Sequence, residues 1–242
     1  MATDTAHQLQ LYVRRAAQLL RSNGLLPDSA PERQDLDGKA LEELFDRGYK
    51  QVAALQADIE AHTGCTLDGR RALDYGCGVG RLALPLAERC EHVYGLDVSM
   101  PALAAAERNA KRLSRTNVEW LEAGRLEELS GTYDFVVSVW VFQHIPWREG
   151  ERIFATLLRG LQPGGVGAIH VALRPSGNRF ELRRRLSWEY AYTRMNSYSL
   201  NRLGMLLADV GVTDWHVRWH KRITLELTRR SYPNATIIFR KP

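Results

Sequence analysis

Residues 72–87 read ALDYGCGVGRLALPLA. A short apolar run closes on an acid, Asp74. Glycines follow at alternate positions, Gly76, Gly78 and Gly80, before an apolar segment of helical periodicity takes over. That order predicts a strand, a tight turn and a helix. Glycines let the backbone take angles that other residues resist, and they remove side chains where a ligand must come close. The helix that follows aims its unpaired N-terminal amides at the same place. Two kinds of nucleotide-bearing ligand use such a turn. The dinucleotide fingerprint G-x-G-x-x-G requires a third glycine at position 81, where this chain has Arg81. A nicotinamide-dependent oxidoreductase is disfavoured on that ground.

Outward from the turn, strand and helix alternate. Strands are predicted near 71–75, 92–97, 117–122, 134–139 and 166–172, and helices near 80–89, 100–114 and 147–161. Such alternation implies a parallel sheet covered on both faces. The LQPGG of residues 161–165 closes the last of these helices with a proline and two glycines. Residues 174–198 break the rhythm, and a helix near 199–209 with strands near 212–220 and 235–240 finishes the chain. Ahead of the first strand, Leu9, Tyr12, Val13, Ala16, Leu19 and Leu20 stand at helical spacing, and SNGLLPDSAPERQD reads as a loop. Leu41, Leu44 and Phe45 suggest a short helix; Val52, Leu55, Gln56 and Ile59 continue a helix that stops near Gly64.

Length and composition bound the function classes. A chain of 242 residues holds one large domain or two small ones, and 45% hydrophobic with 25% charged residues is ordinary for a globular protein. The first twenty residues lack the basic start and apolar block of a secretory signal, and no run has the apolar length of a membrane span. Cys65, Cys77 and Cys90 are odd in number and lack metal-ligand spacing, so a reducing compartment, the cytoplasm, is expected. Net charge is +5, a mild excess. The basic run Arg183, Arg184 and Arg185 has no accompanying RNA-stacking motif, which ranks a small molecule above nucleic acid as partner. His216 and His220 lie four apart, but their segment reads as a strand and no acids complete a site, so no metal is expected.

The Asp-x-Gly-x-Gly-x-Gly of residues 74–80 resembles motif I of the class I S-adenosylmethionine-dependent methyltransferases. HVYGLDVSMPALAAAERN, TYDFVVSVWVFQHIP and LLRGLQPGGVGAIHV follow in the order and spacing of that family, so the resemblance spans roughly residues 65–175 and continues through NRLGMLLADVGV. The general look is that of its small-molecule enzymes; the N-P-P-Y type tetrapeptide of many DNA methyltransferases is absent. The resemblance implies a Rossmann-like three-layer α/β sandwich. Its seven-stranded, mostly parallel sheet would be ordered 3-2-1-4-5-7-6, with the seventh strand antiparallel. Residues 1–65 would be a helical extension or lid, residues 66–242 the methyltransferase domain, and 174–198 a substrate-side insertion.

It also implies a site for S-adenosyl-L-methionine. Asp74 would serve the cofactor amino group. Gly76, Gly78 and Gly80 would admit the methionine part and ribose. Asp97, at the end of the second strand, would hold the ribose hydroxyls; its other readings are a solvated loop acid or the N-cap of the helix starting near Pro101. Val98 and Met100 would flank adenine. Ser138 and Val139 would offer backbone groups to the methionine end, and Arg81 would either reach the cofactor carboxylate or lie on a helix surface. The acid that many relatives carry after the third strand is replaced by Gly124, which shifts adenine recognition to backbone groups near Arg125 and Leu126. His144 would take a proton from a hydroxyl or amine as the methyl arrives, or else cap the helix after Pro146 or shape the pocket. Trp140 is read as core, Gln143 as either core or site, and Asp134 as structural. In 174–198, Phe180, Trp188, Tyr190, Tyr192 and Tyr198 would wall an acceptor, and Arg179, Arg183 and Arg194 would meet an anionic one. The expected activity is methyl transfer to a small molecule at oxygen or nitrogen. A protein or RNA acceptor, or a non-catalytic cofactor-binding scaffold, remain as alternatives.

Overall fold

The computed structural model describes residues 38–173, 196–220, 223–225 and 230–242. The strand after which the glycine turn begins, β1 (Arg71–Tyr75), lies mid-sheet because both its faces are apolar. Around it stand β2 (His92–Asp97), β3 (Val118–Glu122), β4 (Tyr133–Ser138), β5 (Leu161–Ala172), β6 (Trp215–Trp219) and β9 (Asn234–Arg240). The sheet order is β3-β2-β1-β4-β5-β9-β6. Only β9 runs against its neighbours, pairing antiparallel with both β5 and β6. This is the expected 3-2-1-4-5-7-6 arrangement. A separate hairpin, β7 (Ile223–Leu225) with β8 (Arg230–Tyr232), is not among the predicted elements, since three-residue strands are too short for alternation to show.

Alternate strand residues feed two cores. On one face Leu73, Val136, Ile169, Ile237 and Phe239 pack with α4 (Trp147–Gly160) and α5 (Leu200–Ala208) through Phe154, Leu157, Leu203 and Leu207. On the other, Ala72, Val137, Ala168 and Ile238 pack with α1 (Gly38–Thr63) and α2 (Ala83–Leu86) through Val52, Leu55, Ile59 and Leu86, and α3 (Met100–Arg112) adds Leu103. The two helical pieces read between Leu41 and Ile59 are one helix of 26 residues, α1, ended by Gly64 at φ +66°. Its first turns also pack Leu41, Leu44 and Phe45 against Val79 and the alanines of α3. The amphipathic stretch near 7–21 and most of 174–198 lie outside the described residues.

Two boundaries differ from expectation. The helix predicted over 80–89 is α-helical only at Ala83–Leu86, because Pro85 has no N–H to give and the flanking residues stay in turns. The strand predicted from 166 starts at Leu161, where it pairs with Tyr133 before the register shifts. Asp134 is structural, as read: its carboxylate accepts from the Arg71 amide at 2.7 Å and pairs with Arg70.

Candidate active site

In an open α/β sheet, ligands bind outside the carboxyl ends of the strands. Asp74 pairs in register with Gly95 on one side and Val137 on the other, so the ends of β1, β2 and β4 form one edge. The glycine turn hangs on that edge. The amides of Gly76 and Cys77 donate to the Leu96 carbonyl at 2.7 and 2.9 Å, and the Gly80 amide donates to Cys77 at 3.0 Å. Gly76 has φ +80° and a Cβ there would lie 2.2 Å from Val141; Gly78 has φ +56° and faces open space. Both positions thus need glycine, the first for close packing and the second for a bare backbone turned outward. At Gly80 an added Cβ would lie 3.0 Å from Leu84 and 3.1 Å from Trp120.

Two carboxylates organise the turn. Asp97 accepts from the Gly78 amide and the Ser99 amide, both at 2.8 Å. The N-cap of α3 is Ser99, whose Oγ accepts from Ala102; Asp97 is instead the cross-link between turn and helix. Burial raises the Asp97 pKa, and the amides of Ser99, Gly78 and Val98 pull it back. Each carboxylate oxygen keeps a second lone pair for a ligand hydroxyl. Asp74 is 2% exposed, and among the described residues its Oδ2 has no hydrogen-bond partner. Burial, with Asp97 nearby, lifts its pKa to about 7 against the pull of Arg81 and the Ala83 amide. A buried carboxylate with an unpaired oxygen calls for a cationic or donating ligand group. The residues therefore fit a ligand that carries an amino group and a diol.

The other predicted residues fall into place around this pair or away from it. Val98 and Met100 border Asp97 and open α3, with Met100 exposed. The Ser138 hydroxyl is buried and donates to the Tyr75 carbonyl at 2.8 Å, and the Val139 side chain is in the core. Arg81 bonds Gln51 of α1 and acts on Asp74 electrostatically, so it is not a bare surface arginine. Gly124 and Arg125 are exposed in a 3-10 segment, Arg125 pairs with Glu128, and the Leu126 side chain enters the core. His144 ends a second 3-10 turn, Phe142–His144, between β4 and α4. Its ring is exposed, with Nε2 at 3.2 Å from the amide nitrogen of buried Gln143.

Two expectations change. Tyr198 does not wall an acceptor. It is fully buried, and its hydroxyl lies 2.9 Å from the carbonyls of Phe142 and Ile145, tying down the turn that carries His144. Trp140 is not core: it is 44% exposed and sits at φ +65°. His216 and His220 face different neighbours, His216 stacking on His62 and His220 approaching His170. Sequence reasoning also missed Asn109, whose amide donates to the Val79 carbonyl at 3.1 Å and braces the turn from α3. Its signal was present: Asn109 is the polar residue at a core position of an alanine-lined face.

A model of the family described as methyltransferase domain matches residues 72–165, the segment that builds this edge. Residues 72–165 are thus similar to a methyltransferase domain. A chloroplastic magnesium protoporphyrin IX methyltransferase of Arabidopsis thaliana is 38% identical over 93 residues, 38% of this chain and 30% of that one. A ubiquinone biosynthesis O-methyltransferase of Leptothrix cholodnii is 30% identical over 122 residues, 49% of this chain and 51% of that one. The chain thus spans about half or less of the length of these relatives. Among solved structures, magnesium protoporphyrin IX methyltransferase from Synechocystis with bound SAH superposes with a TM-score of 0.59 at 21% identity, covering 87% of this chain and 91% of that one. That likeness concerns the fold. No helix among the described residues is long and apolar enough to cross a membrane.

Proposed function

We propose that this chain transfers a methyl group from S-adenosylmethionine to a small-molecule acceptor at oxygen or nitrogen. The observation that carries the reading is the buried Asp74 carboxylate, unpaired at Oδ2, beside a glycine turn that Asp97 clamps. Asp74 holds the cofactor amino group, Asp97 the ribose hydroxyls, and Val98 with Met100 flank adenine. Backbone groups at Arg125 and Leu126 replace the acid missing at Gly124. Backbone groups of Ser138 and Val139 orient the methionine end. The chemistry supplied by the bound cofactor is an electrophilic methyl on its sulfonium sulfur. What the protein adds is chiefly alignment of nucleophile and methyl carbon. His144, on a turn that Tyr198 and Asn196 tie in place, takes the proton of a hydroxyl or amine acceptor. Relatives named for small molecules support the acceptor class, and three free buried cysteines suit a reducing cytoplasm.

The test is transfer of labelled methyl from S-adenosylmethionine to a panel of phenols, alcohols, amines and carboxylates. A labelled small-molecule product is expected. His144→Ala should lower its turnover about a hundredfold with S-adenosylhomocysteine affinity retained. Label that enters only protein or RNA contradicts the acceptor class, and near-wild-type turnover in the variant reduces His144 to a wall.

A further inference from the structure

Directly after Val139, at the edge where the acceptor must approach, Trp140 holds a left-handed backbone with φ +65°. A bulky residue there is an outlier, and such strain gathers at functional sites. Its indole is 44% exposed, and its ring lies 4.6 Å from that of His170. His170 is 3% exposed, one residue beyond the pairing of Ser138 with Ile169, so it belongs to the same edge. Its Nε2 lies 3.0 Å from Asn234 Oδ1 on β9, and so Nε2 is the protonated nitrogen. Nδ1 is then a bare acceptor, buried and without a partner among the described residues. His220 stands 5.5 Å away and is held at Nε2 by the Thr236 hydroxyl at 2.8 Å.

The charge of this cluster narrows what it accepts. Burial pushes His170 down to about 4, and burial lowers His220 as well, so both are neutral at pH 7. The neutral imidazoles give no attraction to a carboxylate or phosphate, and Arg218, the cation that acts on His220, is paired with Asp58. Among the described residues no acid makes a hydrogen bond or ion pair with Trp140, His170 or His220.

We infer that Trp140 and His170 form the acceptor subsite, and that it selects an uncharged aromatic ring bearing a hydroxyl. The ring stacks on the exposed indole and the hydroxyl donates to His170 Nδ1. Nδ1 is covered by its neighbours, so the indole slides aside as the hydroxyl enters. Asn234 acts through His170, fixing its tautomer. The inference rests on the methyltransferase reading above and deepens it by naming the acceptor class.

The test uses the full chain loaded with S-adenosylhomocysteine, whose own affinity is measured first for every variant. Ligand-observed NMR then follows three probes: 2-naphthol, 2-methoxynaphthalene, which lacks the donor, and the anionic 2-naphthoate. Wild-type protein should bind 2-naphthol in preference to the other two. His170→Phe should weaken 2-naphthol about tenfold and leave 2-methoxynaphthalene unchanged, and Trp140→Ala should weaken both. The subsite is overturned if 2-naphthol does not bind, if His170→Phe binds it as well as wild type, or if 2-naphthoate binds best. Failure of wild-type protein to bind S-adenosylhomocysteine would instead sink the methyltransferase reading itself.

Discussion

Asp74 is the residue at which sequence, burial and ligand chemistry meet. Its folded pKa of about 7 lies above the ordinary 3.8, so between those values the folded protein holds a proton that the unfolded chain has released. The sign follows: stability falls as pH rises through this window, because ionising the buried carboxyl is opposed. Asp74→Asn should therefore gain stability relative to wild type at pH 8 compared with pH 5, read from urea midpoints. A bound ammonium reverses the preference. Affinity for S-adenosylhomocysteine should rise from pH 5.5 to 7.5 in wild type, and the rise should flatten in Asp74→Asn by calorimetry. A wild-type affinity constant over that range would mean that Asp74 does not meet the amino group. The sequence placed Asp74 and Asp97 correctly at strand ends. The Ser99 amide, two residues on, is a local partner of Asp97, but the Gly78 amide, nineteen residues back, becomes its neighbour only through the fold.

At the level of elements, α1 was legible only in part. Its apolar positions gave the helix, but a loop of turn formers upstream and the polar run DRGYKQ made it look like two. The structure explains Gly48 inside it. A Cβ at Gly48 would lie 2.1 Å from the Arg81 carbonyl, the one that Pro85 leaves without an intrahelical donor. Close crossing here brings Gln51 to the Arg81 guanidinium, and Arg81 in turn opposes the rise that burial imposes on the Asp74 pKa. Gly48→Ala must push backbone from backbone, so it should cost roughly 1–3 kcal/mol of stability. It should also weaken cofactor binding, whereas the exposed Lys39→Ala on the same helix should do neither. Urea unfolding and calorimetry of both variants check this; a neutral Gly48→Ala would show that α1 is not seated against the glycine turn. Trp140 was misread for a related reason. A tryptophan at the end of an apolar strand is ordinarily core, and only the backbone angle turns it outward.

For the whole molecule, the sheet order, including the reversed seventh strand, came from the resemblance of four sequence blocks to the methyltransferase family, and the strands themselves from their apolar runs. Buried parallel strands are near-continuous apolar runs, and these are easy to read between helices. Hydrogen bonds between residues far apart in the chain were not readable. His170 with Asn234 and Tyr198 with Phe142 are separated by 64 and 56 residues, and no local pattern links them. The fold by itself does not assign chemistry, so the central claim is that the β1–β2 edge holds S-adenosylmethionine through Asp74, the glycine turn and Asp97. Isothermal titration of S-adenosylhomocysteine into wild type and Asp97→Ala tests it most directly. Removing charge-assisted hydrogen bonds to the ribose should weaken binding by about 1–3 kcal/mol while the variant stays folded by circular dichroism. No binding to wild type, or equal affinity in a folded Asp97→Ala, would contradict the account.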